Sequence, residues 1–307
     1  MKFGLHLDNA QIHDPSTIVS DWSEAVAFAD GAGFDYISVV DHLVPFPDFR
    51  PRSAPLFDPW QLLSAFAALT KNVKLLTLVN NGSISHPTRL AKQAATLDTV
   101  SQGRMMLGLG AGGYQLDEAA MNLSLRSQRD RYAMLEECID FVMELWTGHE
   151  VSKQGKFYAL DGYTSSPVPQ SPPNLLVAGK SSAILRIAAF KASACNFAFT
   201  NVDVLNGLVA NLQALLEEAG RNLKDFDVTL LDRVFIASSD EQAHQAWQAA
   251  GAPIVNGHPG LVGGPARLVR EIAALENSGA NTLFCMFQNL ASQRLFAEQV
   301  LPQLRSF

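Results

Sequence analysis

Short runs of apolar, β-favouring residues alternate with longer amphipathic stretches along almost the whole chain. Residues 2–7 read as a buried strand, and apolar positions then recur at the three- and four-residue spacing of a helix. Asp14 and Pro15 suit the N-cap and first turn of that helix. A second apolar strand at residues 36–40 completes a βαβ unit.

The same alternation continues until eight strands have been passed. The predicted strands lie at residues 2–7, 36–40, 73–79, 104–109, 174–178, 194–199, 228–237 and 282–287. The later helices are predicted at residues 58–69, 86–100, 129–146, 183–190, 204–219, 264–276 and 291–304, with one more beginning at a capping box from Ser238 to Glu241.

Eight strands that alternate with helices through right-handed crossovers close most simply into a parallel barrel. The fold class predicted is therefore α/β, a (β/α)8 TIM barrel spanning residues 1–307 as one domain. An open doubly wound sheet is the alternative, which length and strand count disfavour. Residues 149–173 and 251–263 stand outside the alternation and are expected to be insertions that act as lids at the C-terminal face.

Composition narrows the class of protein. The net charge is −7 and there is no basic run, which disfavours a nucleic-acid partner. No signal peptide or long apolar segment is apparent, so no membrane association is expected. Cys138, Cys195 and Cys285 are widely separated, which is typical of reduced thiols. We expect a cytoplasmic enzyme that acts on a small molecule.

Asp41 and His42 are the first candidates for chemistry because they follow the second strand, and active sites of such barrels lie at strand C-termini. An adjacent carboxylate can orient an imidazole ring; the alternative is a histidine that only caps the strand end. His6 and Asp8 form a weak metal-site pattern. Because a metal needs three or four converging ligands, no metal is expected, and His6 is interpreted as a wall residue.

Two glycine-containing turns follow later strands. Residues 108–113 do not match a dinucleotide-binding fingerprint and are interpreted as a place of close backbone approach that leaves room for a flat ligand. Gly179, Lys180, Ser181 and Ser182 join a strand directly to a helix, where free N–H groups, hydroxyls and one cation suit a phosphate. The alternative there is an ordinary turn with a serine N-cap.

A set of short motifs is spread over the chain: Met1-Lys2-Phe3-Gly4, Gly33-Phe34-Asp35, Asp41-His42, Leu75-Leu76-Thr77-Leu78-Val79, His86-Pro87, Arg89-Leu90-Ala91-Lys92, Ala95, Leu97-Asp98, Ser101, Gly103-Arg104, Gly108-Leu109-Gly110-Ala111-Gly112, Leu145-Trp146-Thr147-Gly148, Val177-Ala178-Gly179 and Leu301-Pro302. Through these motifs the chain resembles the bacterial luciferase-like superfamily of FMN- or F420-dependent oxidoreductases, over nearly the whole length. No single motif is decisive, but their order and spacing are specific.

The resemblance implies roles for particular positions. His42, with Asp41 beside it, matches a histidine that contacts the cofactor or the substrate. Leu78-Val79 matches a non-proline cis peptide behind the cofactor ring. The remaining cofactor-binding positions implied are Asn80, Gly112, Gly113, Tyr114, Gly179, Lys180, Ser181 and Ser182.

One position departs from the pattern of some deazaflavin-dependent sugar-phosphate dehydrogenases of this family. Those enzymes place a catalytic glutamate after the strand-four glycines, where this chain has Gly113. Asp117 or Glu118 could substitute only if the loop turns them inward.

The function expected is an oxidoreductase that binds either coenzyme F420, for hydride transfer, or FMN, for monooxygenation, with F420 slightly favoured. A non-catalytic flavin-binding or partner subunit of the same fold is the alternative, and a metal-dependent hydrolase is a weaker one. A reductase that supplies reduced cofactor and a second copy of the chain are the expected protein partners.

Overall fold

Twelve strands are found in the computed structural model, which describes residues 1–7, 17–46, 54–170, 174–255 and 257–305. They are β1 (Lys2–Leu7), β2 (Tyr36–Val39), β3 (Lys74–Thr77), β4 (Asn80–Asn81), β5 (Met105–Gly110), β6 (Glu150–Gln154), β7 (Ala159–Thr164), β8 (Asn174–Ala178), β9 (Ala194–Ala198), β10 (Asp227–Ile236), β11 (Leu261–Gly263) and β12 (Thr282–Phe287).

Eight of these strands form a closed parallel barrel in the order β1-β2-β3-β5-β8-β9-β10-β12. Strand β12 pairs with β1 and β10 pairs with both β9 and β12, so the ring has no open edge. This confirms the predicted (β/α)8 barrel. Strands β4 and β11 extend the sheet locally on β5 and β10.

Helices surround the barrel, and most of their bounds lie within two residues of those predicted, whereas α4 was not predicted. They are α1 (Ile18–Gly31), α2 (Pro59–Leu69), α3 (Pro87–Ser101), α4 (Gln115–Ala120), α5 (Gln128–Leu145), α6 (Ser182–Lys191), α7 (Val202–Glu218), α8 (Asp240–Ala249), α9 (Pro265–Asn277), α10 (Leu290–Gln299) and α11 (Leu301–Leu304).

Strand residues alternate between two apolar layers, as the pleat requires. Leu75 belongs to the large core between strands and helices, whereas Leu76 belongs to a smaller cluster to which several barrel strands contribute, inside the barrel. Side chains inside a barrel of this size fill it below the mouth. The open space is therefore left at the strand ends.

Local signals explain most helix starts, with one correction. Asp58 caps α2 by accepting a hydrogen bond from Gln61 N at 3.0 Å, as its position before Pro59 predicts. Helix α8 is capped by Ser239, so the predicted cap at Ser238 is wrong by one residue. The predicted start at Asp14 and Pro15 lies outside the described residues.

Two predicted elements are divided in the structure. The strand expected at residues 73–79 ends at Thr77, and a cis peptide bond between Leu78 and Val79 separates β3 from β4. The last helix breaks at Val300, because Pro302 has no N–H to continue the hydrogen-bond ladder.

The two segments expected as insertions take different forms. Within residues 149–173, β6 and β7 form an antiparallel hairpin that is anchored by buried Val151 and Tyr158. Within residues 251–263, β11 joins the edge of β10. Residues 171–173 and 256 lie outside the described residues, and a covering role for either segment stays a prediction. Among the described helices, none is both long and apolar enough to cross a membrane.

Candidate active site

A cavity of about 290 Å³ opens at the C-terminal ends of the barrel strands. Its lining combines apolar side chains with three amides, one carboxyl group and one imidazole. A mostly apolar lining with a few polar groups is usual for a small-molecule site. The lining residues are Asp41, His42, Leu78, Val79, Asn80, Asn81, Gly110, Ala111, Gly112, Tyr114, Ala178, Asn196, Ala198 and Leu231.

The floor of the cavity depends on glycines of β5 and the loop after it. A Cβ atom added to Gly110 would lie 2.8 Å from Val79 Cγ2, and one added to Gly112 would lie 2.1 Å from Asn81 Oδ1. Gly112 also has φ +66°, a backbone conformation that glycine adopts without strain. The glycine run therefore lets β5 approach the segment after β3 closely, as the sequence predicted.

Asp117 on helix α4 holds the imidazole of His42. Nδ1 of His42 lies 2.7 Å from Asp117 Oδ2, while Asp117 Oδ1 accepts hydrogen bonds from the backbone N–H groups of Leu43 and Val44 at 2.9 and 3.0 Å. Asp117 is buried, and His42 is partly exposed toward the cavity. The loop therefore does turn an acid inward, and the carboxylate that orients His42 is Asp117 rather than the adjacent Asp41.

Aromatic rings surround the remaining edges of His42. Tyr114 and Phe46 contact it edge-on, with ring centroids at 5.2 and 4.7 Å. The hydroxyl of Tyr114 donates a hydrogen bond to the carbonyl oxygen of Pro45 at 2.8 Å, which ties the loop after β5 to the loop after β2. These contacts restrict the ring plane of His42, which lines the cavity.

Asp41 is held separately from His42. Asn80 Nδ2 donates a hydrogen bond to Asp41 Oδ2, and Asn80 Oδ1 accepts one from the hydroxyl of Thr77 at 2.9 Å. Burial raises the pKa of the Asp41 carboxyl, while the hydrogen bond from Asn80 and the charge of His42 act in the opposite direction. Asp41 is thus a fixed acceptor on the cavity wall.

His6 lies within the barrel and is almost fully buried. Its Nδ1 lies 2.9 Å from the hydroxyl oxygen of Ser38. Burial, reinforced by the nearby His42, lowers the pKa of His6 to about 3, so its ring is neutral at physiological pH. Asp8, its proposed partner in a metal site, lies outside the described residues.

The predicted phosphate turn does lead into a helix N-terminus. Ser181 caps α6 by accepting a hydrogen bond from Ile184 N, and its hydroxyl lies 3.1 Å from the hydroxyl of Tyr132. Gly179 has φ +142° and donates its N–H to the carbonyl oxygen of Asn196. Lys180 donates to the carbonyl oxygen of Phe199 at 3.2 Å. The turn follows directly on Ala178, which lines the cavity.

The structure brings seven of the sequence-predicted site residues to the cavity lining. They are Asp41, His42, Leu78, Val79, Asn80, Gly112 and Tyr114. Six others lie near the site but are not among its described lining residues: His6, Gly113, Gly179, Lys180, Ser181 and Ser182. Gly113 donates its N–H to Glu118 Oε1 at 3.3 Å.

Gly110 and Ala111 lie in the run at residues 108–113 that is expected to leave room for a flat ligand. The other lining residues are not among the predicted site residues, although part of them carry a signal in the sequence. Asn196 interrupts an otherwise apolar strand, where it bonds to the hydroxyl of Thr229 at 2.8 Å inside the barrel. Ala178 and Ala198 are the last residues of β8 and β9, where the barrel rule applies equally, whereas Leu231 lies within β10 and pairs with Ala198. Small apolar residues of this kind cannot be recognised as site residues from the sequence, because they carry no reactive group.

Known proteins resemble this chain in sequence and in fold. A sequence profile of the luciferase-like monooxygenases matches residues 1–278. An F420-dependent glucose-6-phosphate dehydrogenase from Nakamurella multipartita is 31% identical over 229 residues, which is 74% of this chain and 66% of that protein. The chain spans about half to two thirds of the length of such curated relatives.

Solved structures show the same fold. A monooxygenase from Streptomyces bottropensis has a TM-score of 0.83 at 24% identity, covering 98% of this chain and 99% of that chain. An F420-dependent secondary alcohol dehydrogenase with an F420-acetone adduct has a TM-score of 0.86 at 18% identity, covering 99% of both. Because the sequence profile covers most of the chain, this protein belongs to the luciferase-like monooxygenase family.

Proposed function

We propose that this protein is an oxidoreductase that transfers hydride between a deazaflavin cofactor of the F420 type and a small organic substrate. The observation that carries the proposal is the His42–Asp117 pair, which presents an oriented imidazole at the wall of a cavity at the barrel mouth. FMN-dependent monooxygenation is the second candidate, since the family is that of luciferase-like monooxygenases and a Baeyer-Villiger monooxygenase of the same fold is described in complex with FMN. Similarity to F420-dependent relatives favours the first.

The residues around the cavity fit a flat heterocyclic ring. Leu78, Val79 and Leu231 offer apolar surfaces for the ring faces, whereas Asn81 and Asn196 offer amide groups that can bond to ring heteroatoms. The α6 N-terminus beside the cavity supplies backbone donors for a phosphate. This arrangement supports the roles inferred for Gly112, Tyr114 and the turn from Gly179 to Ser182.

When bound, such a cofactor supplies the carbon that accepts or donates the hydride. His42 would then accept the proton that a substrate hydroxyl releases. Because the carboxylate of Asp117 can only accept, the neutral ring would carry its hydrogen on Nδ1 and donate it to Asp117, which would leave Nε2 as the base for a ligand in the cavity that His42 lines. Once Nε2 has taken a proton from a substrate hydroxyl, the carboxylate of Asp117 stabilises the imidazolium.

Equilibrium titration of the purified protein with F420 and with FMN, followed by fluorescence, tests the proposal. Saturable binding of F420 with weak binding of FMN supports hydride transfer, and the reverse result supports the FMN-dependent candidate. If neither binds, both candidates are rejected.

His42→Gln separates an enzyme from a non-catalytic flavin-binding subunit, once a substrate is identified by screening alcohols and aldehydes for cofactor turnover. An enzyme should lose at least about tenfold in kcat while retaining its cofactor affinity, since general acid–base groups contribute about 10²–10⁴-fold. Cofactor binding without any turnover across the screen favours the binding subunit.

We also propose a cellular location, covering segments and protein partners for the enzyme. A cytoplasmic location agrees with three cysteines that are all free and buried. Residues 149–173 and 251–263 would cover the site as lids of a single barrel domain, a homodimer is the proposed assembly, and a separate reductase would serve the FMN-dependent candidate.

A further inference from the structure

A second cavity, of about 360 Å³, lies next to helix α4. No described residue lines both this cavity and the active-site cavity that His42 lines. Its lining comes from the loop between β4 and α3, from α4, and from the loop between α4 and α5: Ser83, Ile84, Glu118, Leu123, Ser124, Leu125 and Arg126. We call this space the α4 cavity.

Two adjacent acids of α4 contact different cavities. Successive residues of a helix point about 100° apart, so neighbours in sequence face different surroundings. Asp117 bonds to His42 at the active-site cavity, whereas Glu118 lines the α4 cavity. The role proposed for His42 therefore uses Asp117 and leaves Glu118 without an assigned role.

Glu118 is only 4% exposed, yet its carboxyl group is incompletely hydrogen-bonded. Oε1 accepts a hydrogen bond from the backbone N–H of Gly113 at 3.3 Å. Oε2 has no hydrogen-bond partner in the part of the chain that the structure describes. A buried polar atom without a partner is unfavourable. A ligand group that donates to Oε2 would remove this cost.

The α4 cavity has a buried side and an exposed side. Glu118 is buried, whereas Leu123 and Leu125 are 46% and 38% exposed, and Arg126 is exposed as well. Ile84 adds a further apolar side chain to the lining. A ligand with an apolar body would cover leucine surface that otherwise faces water, and burial of such surface favours binding.

The loop that carries the two leucines is held at both of its ends. The N–H of Leu123 donates to the carbonyl oxygen of Glu118 at 2.8 Å. At the other end, Arg131 Nη1 donates to the carbonyl oxygen of Arg126 at 2.7 Å. These bonds preform the wall of the α4 cavity, so a ligand would have little ordering of the loop to compensate.

The α4 cavity is lined by one acid and one cation, Glu118 and Arg126. Hydrogen bonds to Lys156 and Ser127 lower the pKa of Asp130, and the charge of Arg126 adds to this effect. Because Asp130 is bonded to Lys156 at 2.9 Å, Arg126 can still bind an anion in the cavity. A ligand with only a positive charge would be attracted to Glu118 and repelled by Arg126, whereas a zwitterion complements both.

We propose that the α4 cavity binds a small zwitterion with an apolar body, an α-amino acid such as leucine. Its ammonium group would donate to Oε2 of Glu118, its carboxylate would lie beside Arg126, and its side chain would cover Leu123 and Leu125. A charge-assisted hydrogen bond is the strong kind, so the contact with buried Glu118 should dominate the affinity. The proposal goes beyond the oxidoreductase function and does not depend on it.

The α4 cavity and the active-site cavity are separated by hydrogen-bonded neighbours. The hydroxyl of Ser83 donates to Asn81 Oδ1 at 2.7 Å, and Asn81 lines the active-site cavity. Likewise Gly113, bonded to Glu118, follows Gly112 of the active-site lining. Because the two cavities are so close, the test must show which of them the amino acid occupies.

Isothermal titration without cofactor tests the proposal with three probes. L-leucine should bind saturably, 4-methylpentanoate, which lacks the ammonium group, should bind at least tenfold more weakly, and 3-methylbutylamine, which lacks the carboxylate, about two- to fivefold more weakly. Glu118→Gln should weaken binding of leucine and 3-methylbutylamine at least tenfold without weakening that of 4-methylpentanoate. Arg126→Met should weaken binding of leucine by about two- to fivefold, as expected for an exposed ion pair.

Glu298→Gln and Arg270→Met change exposed side chains on α10 and α9 and serve as matched controls that should bind leucine as the wild type does. The glutamine of Glu118→Gln can still accept from the N–H of Gly113, and circular dichroism with thermal unfolding establishes that each variant is folded. No saturable binding of leucine by the wild type, or equal binding by Glu118→Gln and Glu298→Gln, would overturn the proposal.

Repeating the leucine titration with saturating F420 or FMN identifies the cavity. An unchanged affinity for leucine supports binding in the α4 cavity, whereas displacement of leucine by the cofactor places leucine in the active-site cavity and rejects the proposal. If leucine binds in the manner that depends on Glu118 while neither F420 nor FMN binds, the α4 cavity is retained as an amino-acid site and the proposed oxidoreductase function is rejected.

Discussion

At the scale of single residues, we expect Asp117 to determine which nitrogen of His42 carries the ring hydrogen. In Asp117→Asn, the amide oxygen can still accept from Leu43 and Val44, but the amide nitrogen meets His42 Nδ1 as a donor. The hydrogen of the neutral His42 ring should therefore lie on Nε2, and Nε2 can then no longer act as a base. We expect nitrogen-15 NMR shifts of the ring to report the other tautomer, and kcat to fall at least about tenfold.

Exposed Asp161 offers a matched control for this change. Asp161→Asn should leave both the His42 spectrum and the stability unchanged, whereas Asp117→Asn should lower the free energy of unfolding by about 1–3 kcal/mol through weakened buried hydrogen bonds. An unchanged tautomer in Asp117→Asn would show that Asp117 does not orient the ring.

His6 predicts a dependence of stability on pH. Its pKa is lowered to about 3 in the folded protein, from 6.5 in a model peptide. Between these values the unfolded chain binds a proton that the folded chain does not, so stability falls as pH falls, by at most about 1.4 kcal/mol per unit from this group. Urea unfolding at pH 7 and pH 5 should show a larger loss for the wild type than for His6→Gln, and equal losses would contradict it.

His42 is identifiable from the sequence, but its hydrogen-bond partner is not. His42 was identified because it follows a strand, and that rule needs only the order of elements. Its contact with Asp117 joins positions 75 residues apart and depends on how α4 turns, which the sequence did not specify. The sequence pattern therefore identifies His42 and nearby acidic residues, but not which of those residues contacts His42.

At the scale of elements, Gly108 tests how closely β5 must approach β3. A Cβ atom at this position would lie 2.1 Å from the carbonyl oxygen of Thr77, a backbone atom that cannot move without displacing β3. We expect Gly108→Ala to lower the free energy of unfolding by about 1–3 kcal/mol, the usual range for overpacking. Chemical denaturation measures the change.

Gly207, in the middle of α7, provides the opposite case because an added Cβ there meets nothing within 4 Å. Gly207→Ala should stabilise the protein by roughly 0.5–1 kcal/mol, since alanine loses less backbone entropy in a helix. Equal effects of the two alanines would show that close approach is not the reason for glycine at position 108.

Element boundaries were predictable where one residue type determines them. Asp58 before Pro59 gives the start of α2, and a glycine-rich run marks the end of β5. The division of residues 73–81 into two strands was not predicted from periodicity, because the apolar pattern continues through Leu78 and Val79. The resemblance to the family supplied the cis bond there, and the structure contains it.

At the scale of the whole molecule, the closed barrel followed from counting strand–helix units over 307 residues. Closure brings the strand ends to one mouth, which is enough to name Asp41 and His42, whereas the resemblance to the family implies the other five predicted lining residues. The rest of the site depends on which loops turn inward across the ring. Asp117, Asn196 and Leu231 come from three different strand–helix units, and only the folded barrel brings them to one end of the barrel.

Binding of the cofactor should stabilise the whole barrel against unfolding. A ligand that binds only the folded state at 100 times its dissociation constant adds about 2.7 kcal/mol to the free energy of unfolding. For a chain of this size, that corresponds to a rise in Tm of roughly 5 °C. Calorimetry should therefore show this rise with the cofactor that the protein uses. NADP, which carries phosphates but no tricyclic ring, should raise Tm by less than half as much. A larger rise in Tm with NADP than with F420 or FMN would contradict the assignment of the cavity to a flat flavin-type ring.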